Sequence, residues 1–222
     1  MSWIISTSEK IFLHSDELHL WRIDLNCAAT SADRGEALAQ AKRNDPKKNS
    51  NKIITRIILS KYLHCPPEQI EFHIGSHGKP SIHNSDLQFN VSDSGCYVLL
   101  GVTRNHPIGV DIERIDRNID YLALSKRFFT TREYEAIVNS ADQKTTFFRC
   151  WTQKEAFIKA VGLGLSYGLS NFDVAPNEDC LSVGDFQVRS IDIDEKNYCA
   201  AFATEGVIES VEYFEYPITD NR

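Results

Sequence analysis

The 222-residue sequence predicts an α+β fold, and three observations carry that expectation. Runs that alternate apolar and polar residues gather before residue 115 and return after residue 172. Between them, residues 121–161 hold three consecutive stretches of helical character. The regular strand–helix alternation of a doubly wound parallel sheet is missing.

Each element has its own signal. LHLWRIDL, Leu18 to Leu25, alternates and reads as a strand. Residues 32–41 are rich in good helix formers and predict a helix. A second helix is predicted from about Ser50 to His64, with Ile53, Ile57, Ile58 and Leu63 near helical spacing and Cys65-Pro66-Pro67 stopping it. Ile70 to Ile74 is a short strand, and Gly78-Lys79-Pro80 is a turn. Leu87 to Val91 and Cys96 to Val102 read as strands joined by a tight Ser92-Asp93-Ser94-Gly95 turn. PIGVDIERI, Pro107 to Ile115, is the next strand. Tyr121–Phe129, Thr131–Val138 and Thr145–Val161 read as helices, the second starting at Thr131 with Tyr134 and Glu135 nearby. Phe186–Ile193, Tyr198–Thr204 and Val211–Tyr216 return to strand character. Gly162-Leu163-Gly164 follows a helix rather than preceding one, so it reads as a helix C-cap and not as a phosphate loop.

Composition narrows the function. With 42% hydrophobic residues the chain can bury a real core as one domain or two small halves. A net charge of -7 and the lack of a large basic block argue against a nucleic-acid groove. No apolar run approaches the ~20 residues that span a bilayer, so no membrane partner is expected. The opening MSWIISTSEK lacks a charged region followed by a long apolar one, which predicts a cytoplasmic protein. Six cysteines, none in a C-x-x-C pair, read as reduced thiols. His73, His77 and His83 sit in a stretch broken by Gly75, Gly78 and Pro80, and read as turn or surface histidines rather than zinc ligands.

Two motifs point to chemistry. In the strand Pro107–Ile115, Ile108, Val110 and Ile112 share one face, while Asp111 and Glu113 project from the other, about 7 Å apart at their α-carbons. Gly109 leaves room beside them. Taken alone, the pair is better read as the polar outer face of a half-exposed strand. The second motif is FFRCWTQKEAFIKAVG, Phe147 to Gly162, where Phe147, Phe148, Trp151, Ile158 and Val161 form an apolar stripe. Glu155 falls inside that stripe and Lys159 at its edge. A buried carboxylate must be paired, protonated or bound to a cation. A Glu155–Lys159 helix pair is one answer. A divalent cation shared with Asp111 and Glu113 is the other, and three carboxylates suit Mg²⁺, with Mn²⁺ also suited to oxygen ligands.

Gly-Val-Asp-Ile-Glu at 109–113 and Trp-Thr-Gln-Lys-Glu-Ala-Phe-Ile-Lys at 151–159, in that order, resemble the motifs of the Sfp-type 4′-phosphopantetheinyl transferases. Gly78-Lys79-Pro80, Phe89-Asn90-Val91-Ser92, and Arg127-Phe128-Phe129 followed by Glu133-Tyr134 extend the resemblance from about residue 45 to 175. It implies two similar α/β halves, here 1–106 and 107–222, with antiparallel sheets packed side by side about a pseudo-twofold and the active site in the cleft between them. It also implies a monomeric, Mg²⁺-dependent enzyme. Such an enzyme moves the phosphopantetheine arm of coenzyme A to a serine of an apo acyl or peptidyl carrier protein and releases 3′,5′-ADP.

By the same resemblance Asp111, Glu113 and Glu155 bind the metal, Glu155 also helps deprotonate the carrier serine, and Lys159 balances phosphate charge. Lys79 and Pro80 border the adenine, Ser92 lines the coenzyme site, and Lys52, with Lys61 as second choice, meets the 3′-phosphate. The family's usual histidine after the serine of F-N-x-S is Asp93 here, which reads as a turn residue or as a water-mediated metal contact. Lys126, Arg127 and Arg132 would form a basic rim for an acidic carrier. The alternative readings are a carrier- or coenzyme A-binding relative impaired in catalysis, and a Mg²⁺-dependent phosphodiesterase or nuclease.

Overall fold

The computed structural model describes residues 2–25 and 46–216. The helix expected at 32–41 lies outside the described residues. Among the described residues, eleven strands and four α-helices follow in chain order: β1 (Ile4–Ile5), β2 (Glu17–Asp24), α1 (Pro46–Leu63), β3 (Phe72–Ile74), β4 (Pro80–Ile82), β5 (Leu87–Ser94), β6 (Tyr97–Arg104), β7 (Ile108–Arg114), α2 (Tyr121–Phe128), α3 (Thr131–Val138), α4 (Gln143–Val161), β8 (Cys180–Val183), β9 (Phe186–Ile191), β10 (Tyr198–Glu205) and β11 (Ser210–Glu215). The α+β expectation holds.

The strands form a five-stranded sheet in the order β1-β11-β2-β6-β5, a four-stranded sheet in the order β7-β10-β9-β8, and the β3-β4 hairpin. The four-stranded sheet and the hairpin are antiparallel throughout. The five-stranded sheet is mixed, because β11 runs parallel to both of its neighbours, β1 and β2. β11 therefore returns from the second half of the chain to pair inside the first sheet, and residue 106 does not by itself separate the strands of the two sheets.

Alternation explains the layering. On β2 and β6, Trp21, Ile23, Val98, Leu100 and Val102 face α1, where they meet Ile54, Ile58, Leu59 and Tyr62. Leu18, Leu20, Tyr97 and Leu99 point the other way, onto Ile108, Val110, Ile112, Ala200 and Phe202 of the four-stranded sheet. The next residues of β10, Cys199, Ala201 and Ala203, face Phe147, Phe148, Ala156 and Ala160 of α4. β6 is apolar on both faces because both are covered.

Local chemistry corrects several boundaries. Ser92, Asp93 and Ser94 are strand, not turn; β5 runs to Ser94, and the loop is only Gly95-Cys96, with Gly95 at φ 59°. A positive φ at the first loop position is what a tight hairpin turn takes from glycine. α1 begins at Pro46, ahead of the predicted start. α3 is capped by Thr130, whose side chain accepts from the backbone N–H of Glu133 while Glu133 reaches back, a reciprocal pair shifted one residue from the expected cap. α4 starts at Gln143, capped by Asp142. It ends where Gly162 turns left-handed at φ 80°, as expected. β8 has no clear sequence signal; it is a half-exposed edge strand.

Candidate active site

The site is built on the contact between β7 and α4. A Cβ on Gly109 would lie 2.0 Å from the carbonyl oxygen of Ala156 and 2.4 Å from the amide nitrogen of Ala160. The room left by the missing side chain is filled by helix backbone. Asp111, the next residue on that face, is thereby brought against the last turns of α4, where Glu155 and Lys159 lie.

β7 is the edge of its sheet, so every second residue presents open backbone groups. Side chains take them up. Lys79 Nζ donates to Ile108 O (3.0 Å), Asn90 Oδ1 accepts from Val110 N (2.9 Å), Lys159 Nζ donates to Val110 O (3.2 Å), and Ser94 Oγ accepts from Arg114 N (3.0 Å). The polar face of β5 exists for this purpose. Asn90, Ser92 and Ser94 lie on it, while Phe89 and Val91 pack on the α1 side. Asp93 is exposed on the α1 side, so it points away from the face on which Ser92 and Ser94 meet the acids.

The charges converge along this seam. Asp111 Oδ1 accepts from Ser92 Oγ (2.9 Å) and Lys159 Nζ (2.6 Å), and its Oδ2 is buried with no hydrogen-bond partner among the described residues. Burial raises the Asp111 carboxyl above the usual range, against the pull of Lys159. Glu113 Oε2 accepts from Ser94 Oγ (2.8 Å) and from Arg117 Nη1 (2.7 Å). Glu155 is pushed up to about 7, first by burial and then by the charges of Asp111 and Glu113, with Lys159 opposing. The three acids thus share one electrostatic site. Among the described residues, no three Asp, Glu, His or Cys side chains already stand as a metal cluster. The donor set nonetheless fits a hard cation: one buried carboxylate oxygen has no partner among the described residues, and burial together with the nearby acids raises a second carboxyl, Glu155, so that added positive charge there would be favourable.

Glu155, Ile158 and Lys159 form one wall of a cleft of about 280 Å³, whose other wall includes Lys79, Pro80 and Val91. Lys79 Nζ also donates to Ala160 O (3.1 Å), pinning the β3-β4 hairpin to the end of α4. Burial without a carboxylate partner lowers Lys79 to about 8. The structure therefore brings together Lys79, Pro80, Ser92, Asp111, Glu113, Glu155 and Lys159. Lys52 is exposed on α1 and does not line this cleft. Lys61 donates to Ser8 O (2.6 Å), so it anchors the N-terminal stretch.

A profile of the 4′-phosphopantetheinyl transferase superfamily matches residues 107–203, which carry β7, α4 and all three acids. The 4′-phosphopantetheinyl transferase HetI of Nostoc is 37% identical over 174 residues, covering 69% of this chain and 72% of HetI. The chain belongs to this family. Psf-1 of Bacillus pumilus, a 4′-phosphopantetheinyl transferase, is 40% identical over 130 residues (57% of this chain, 54% of psf-1), and Sfp of Bacillus subtilis, of the same description, is 35% identical over 130 residues (57% of each). The chain thus spans a little over half the length of these two relatives.

Within the transferase frame, some residues escaped sequence reading. Ser94 was recognisable only with β5 extended to Ser94, which puts it in step with Asn90 and Ser92. Arg117 lies beyond the strand with no pattern to mark it. Lys154 is fully buried; its Nζ pairs with Glu133 Oε1 (2.7 Å) and donates to Leu169 O (2.7 Å) and Phe172 O (2.6 Å), tying α4 to α3 and to the segment that follows.

Proposed function

We propose that this chain transfers the 4′-phosphopantetheine arm of coenzyme A to a serine of an apo acyl or peptidyl carrier protein, with Mg²⁺ (or Mn²⁺), releasing 3′,5′-ADP. The observation that carries this reading is the cleft itself. It sets Glu155 and Lys159 across from Lys79 and Pro80, and Lys159 in turn holds Asp111, whose other oxygen no described residue satisfies. The free thiols of Cys65, Cys96, Cys150, Cys180 and Cys199 suit a cytoplasmic enzyme, and we take it to act as a monomer.

Asp111, Glu113 and Glu155 would hold the ion, which supplies Lewis-acid stabilisation of the pyrophosphate. The protein's own groups do the rest. Lys159 places a positive charge at the wall where the pyrophosphate lies, and Lys79 with Pro80 bounds the nucleotide end. Glu155, half-buried and pushed up to about 7, accepts the proton of the carrier serine. The serine oxygen bonds to the phosphorus that bears the pantetheine, the bond from that phosphorus to the bridging oxygen breaks, and the bridging oxygen leaves with 3′,5′-ADP.

The test is mass spectrometry of a panel of apo-carriers incubated with the protein, coenzyme A and Mg²⁺. A gain of one phosphopantetheine group on the carrier serine is expected. No gain on any carrier, with coenzyme A still bound, would replace transfer with binding. Glu155→Gln should lower kcat about a hundredfold or more while the fold persists; full activity in that variant would remove Glu155 from both of its roles.

A further inference from the structure

The acids of the site are matched by the protein's own cations. Lys159 sits on Asp111, and Arg117, four residues beyond Glu113, sits on Glu113. The two cations differ in setting. Lys159 has a further hold on Ser92 Oγ (2.9 Å) and on the β7 backbone. The Arg117 side chain is 50% exposed, just past the end of β7, and it donates to Glu113. Glu113 is only 17% exposed and is also held by Ser94, which donates to the same oxygen. One end of this ion pair is therefore rigid and the other is free to leave.

Resting on the metal reading above, we propose that Arg117 is a resident counter-ion that competes with the divalent ion for Glu113. The guanidinium neutralises Glu113 while no ion is present, and it gives way when one arrives. The argument is electrostatic. An arginine cannot lose its proton to make room, so a second cation approaching Glu113 must either displace it or accept its repulsion. An exposed pair of this kind is weakly held, so displacement is cheap but not free. Arg117 then sets the ion concentration at which the site fills. Ser94 keeps the carboxylate in place after Arg117 has left.

The experiment is calorimetric titration of Mg²⁺ alone into the full chain, without coenzyme A, for wild type, Arg117→Ala, Glu113→Gln and the double variant. Arg117→Ala should bind Mg²⁺ about threefold more tightly at low ionic strength, in line with the strength of exposed pairs, and the gap should close as KCl is raised. In the Glu113→Gln background, Arg117→Ala should change nothing. Equal affinity of wild type and Arg117→Ala would overturn the counter-ion role while leaving the metal site standing. Weaker binding by Arg117→Ala would also overturn it, and would make the arginine a support for Glu113. If neither protein bound Mg²⁺ or Mn²⁺, the metal reading itself would fail and this inference with it.

Discussion

Single side chains in this protein are decided by what their neighbours leave unsatisfied. His19 shows it away from the active site. Trp21 Nε1 donates to Tyr62 Oη (2.7 Å), so the Tyr62 hydroxyl proton is free to point at His19 Nδ1, 2.9 Å away. That makes Nδ1 the acceptor and leaves the imidazole proton on Nε2, facing Glu17 at 3.6 Å. Burial then holds His19 neutral, with its pKa lowered to about 4 from 6.5. Between those values the unfolded chain binds the extra proton, so stability from this group is whole above pH 6.5 and drains away as the pH falls towards 4. Urea unfolding at pH 7 and pH 4.5 should show a drop for wild type that exceeds that of His19→Gln by about 2 kcal/mol. Equal drops would mean that His19 titrates as an ordinary surface histidine. At the same scale, the acids were legible in the letters. Asp111 and Glu113 alternate with Ile108, Val110 and Ile112, and Glu155 falls in a packed helix stripe. Lys154 was not, because a lysine between glutamine and glutamate reads as a wet-side residue, and only the distant Glu133 reveals it as buried.

Between elements, the geometry of the site comes down to one backbone-on-backbone contact. Because α4 rests on Gly109, the spacing from Gly109 to Asp111 and from Ala156 to Lys159 sets which acid meets which base. Gly109→Ala places a methyl carbon inside the carbonyl of Ala156, and no side chain can swing aside to make room, since the nearest atoms it meets are all helix backbone. The helix must lift. The cost in stability should be about 1–3 kcal/mol, and a displacement of about 1 Å at Glu155 and Lys159 should lower kcat about a hundredfold. Circular dichroism should stay near wild type. Wild-type turnover in a folded Gly109→Ala would show that the helix has slack and that this contact does not set the site. The elements themselves were read from sequence where the signal is local: the helix stop at Gly162, the strand of PIGVDIERI, the helices from 121 to 161. They were misread where partners decide. Ser92-Asp93-Ser94 has turn composition, yet it is strand because β6 offers a register up to Tyr97 and β7 needs the two serines.

For the molecule as a whole, the question is how an acidic protein would receive an acidic carrier. A net charge of -7 repels such a partner at long range, so recognition must rest on a local patch. Lys126, Arg127 and Arg132 are all exposed, on α2 and at the start of α3. Phe128 is among the exposed large apolar residues, and the Arg127 guanidinium lies over its ring at 4.9 Å. Buried behind this surface, Glu133 binds Lys154, the residue before Glu155, so the rim and the site are tied to one rigid helix. This coupling could not be read from the sequence, any more than the return of β11 to the first sheet, because both depend on pairings between residues far apart in the chain. Arg127→Glu with Arg132→Glu should then raise the carrier KM about tenfold at low salt. The KM for coenzyme A should not move, because neither residue lines the cleft of Lys79 and Lys159. Adding salt should weaken wild type towards the variant, as screening removes the steering term. A carrier KM that ignores both charge reversals would show that the carrier docks elsewhere, and the search would shift to the apolar residues exposed near the cleft, starting with Leu163 beside Gly162 and Gly164.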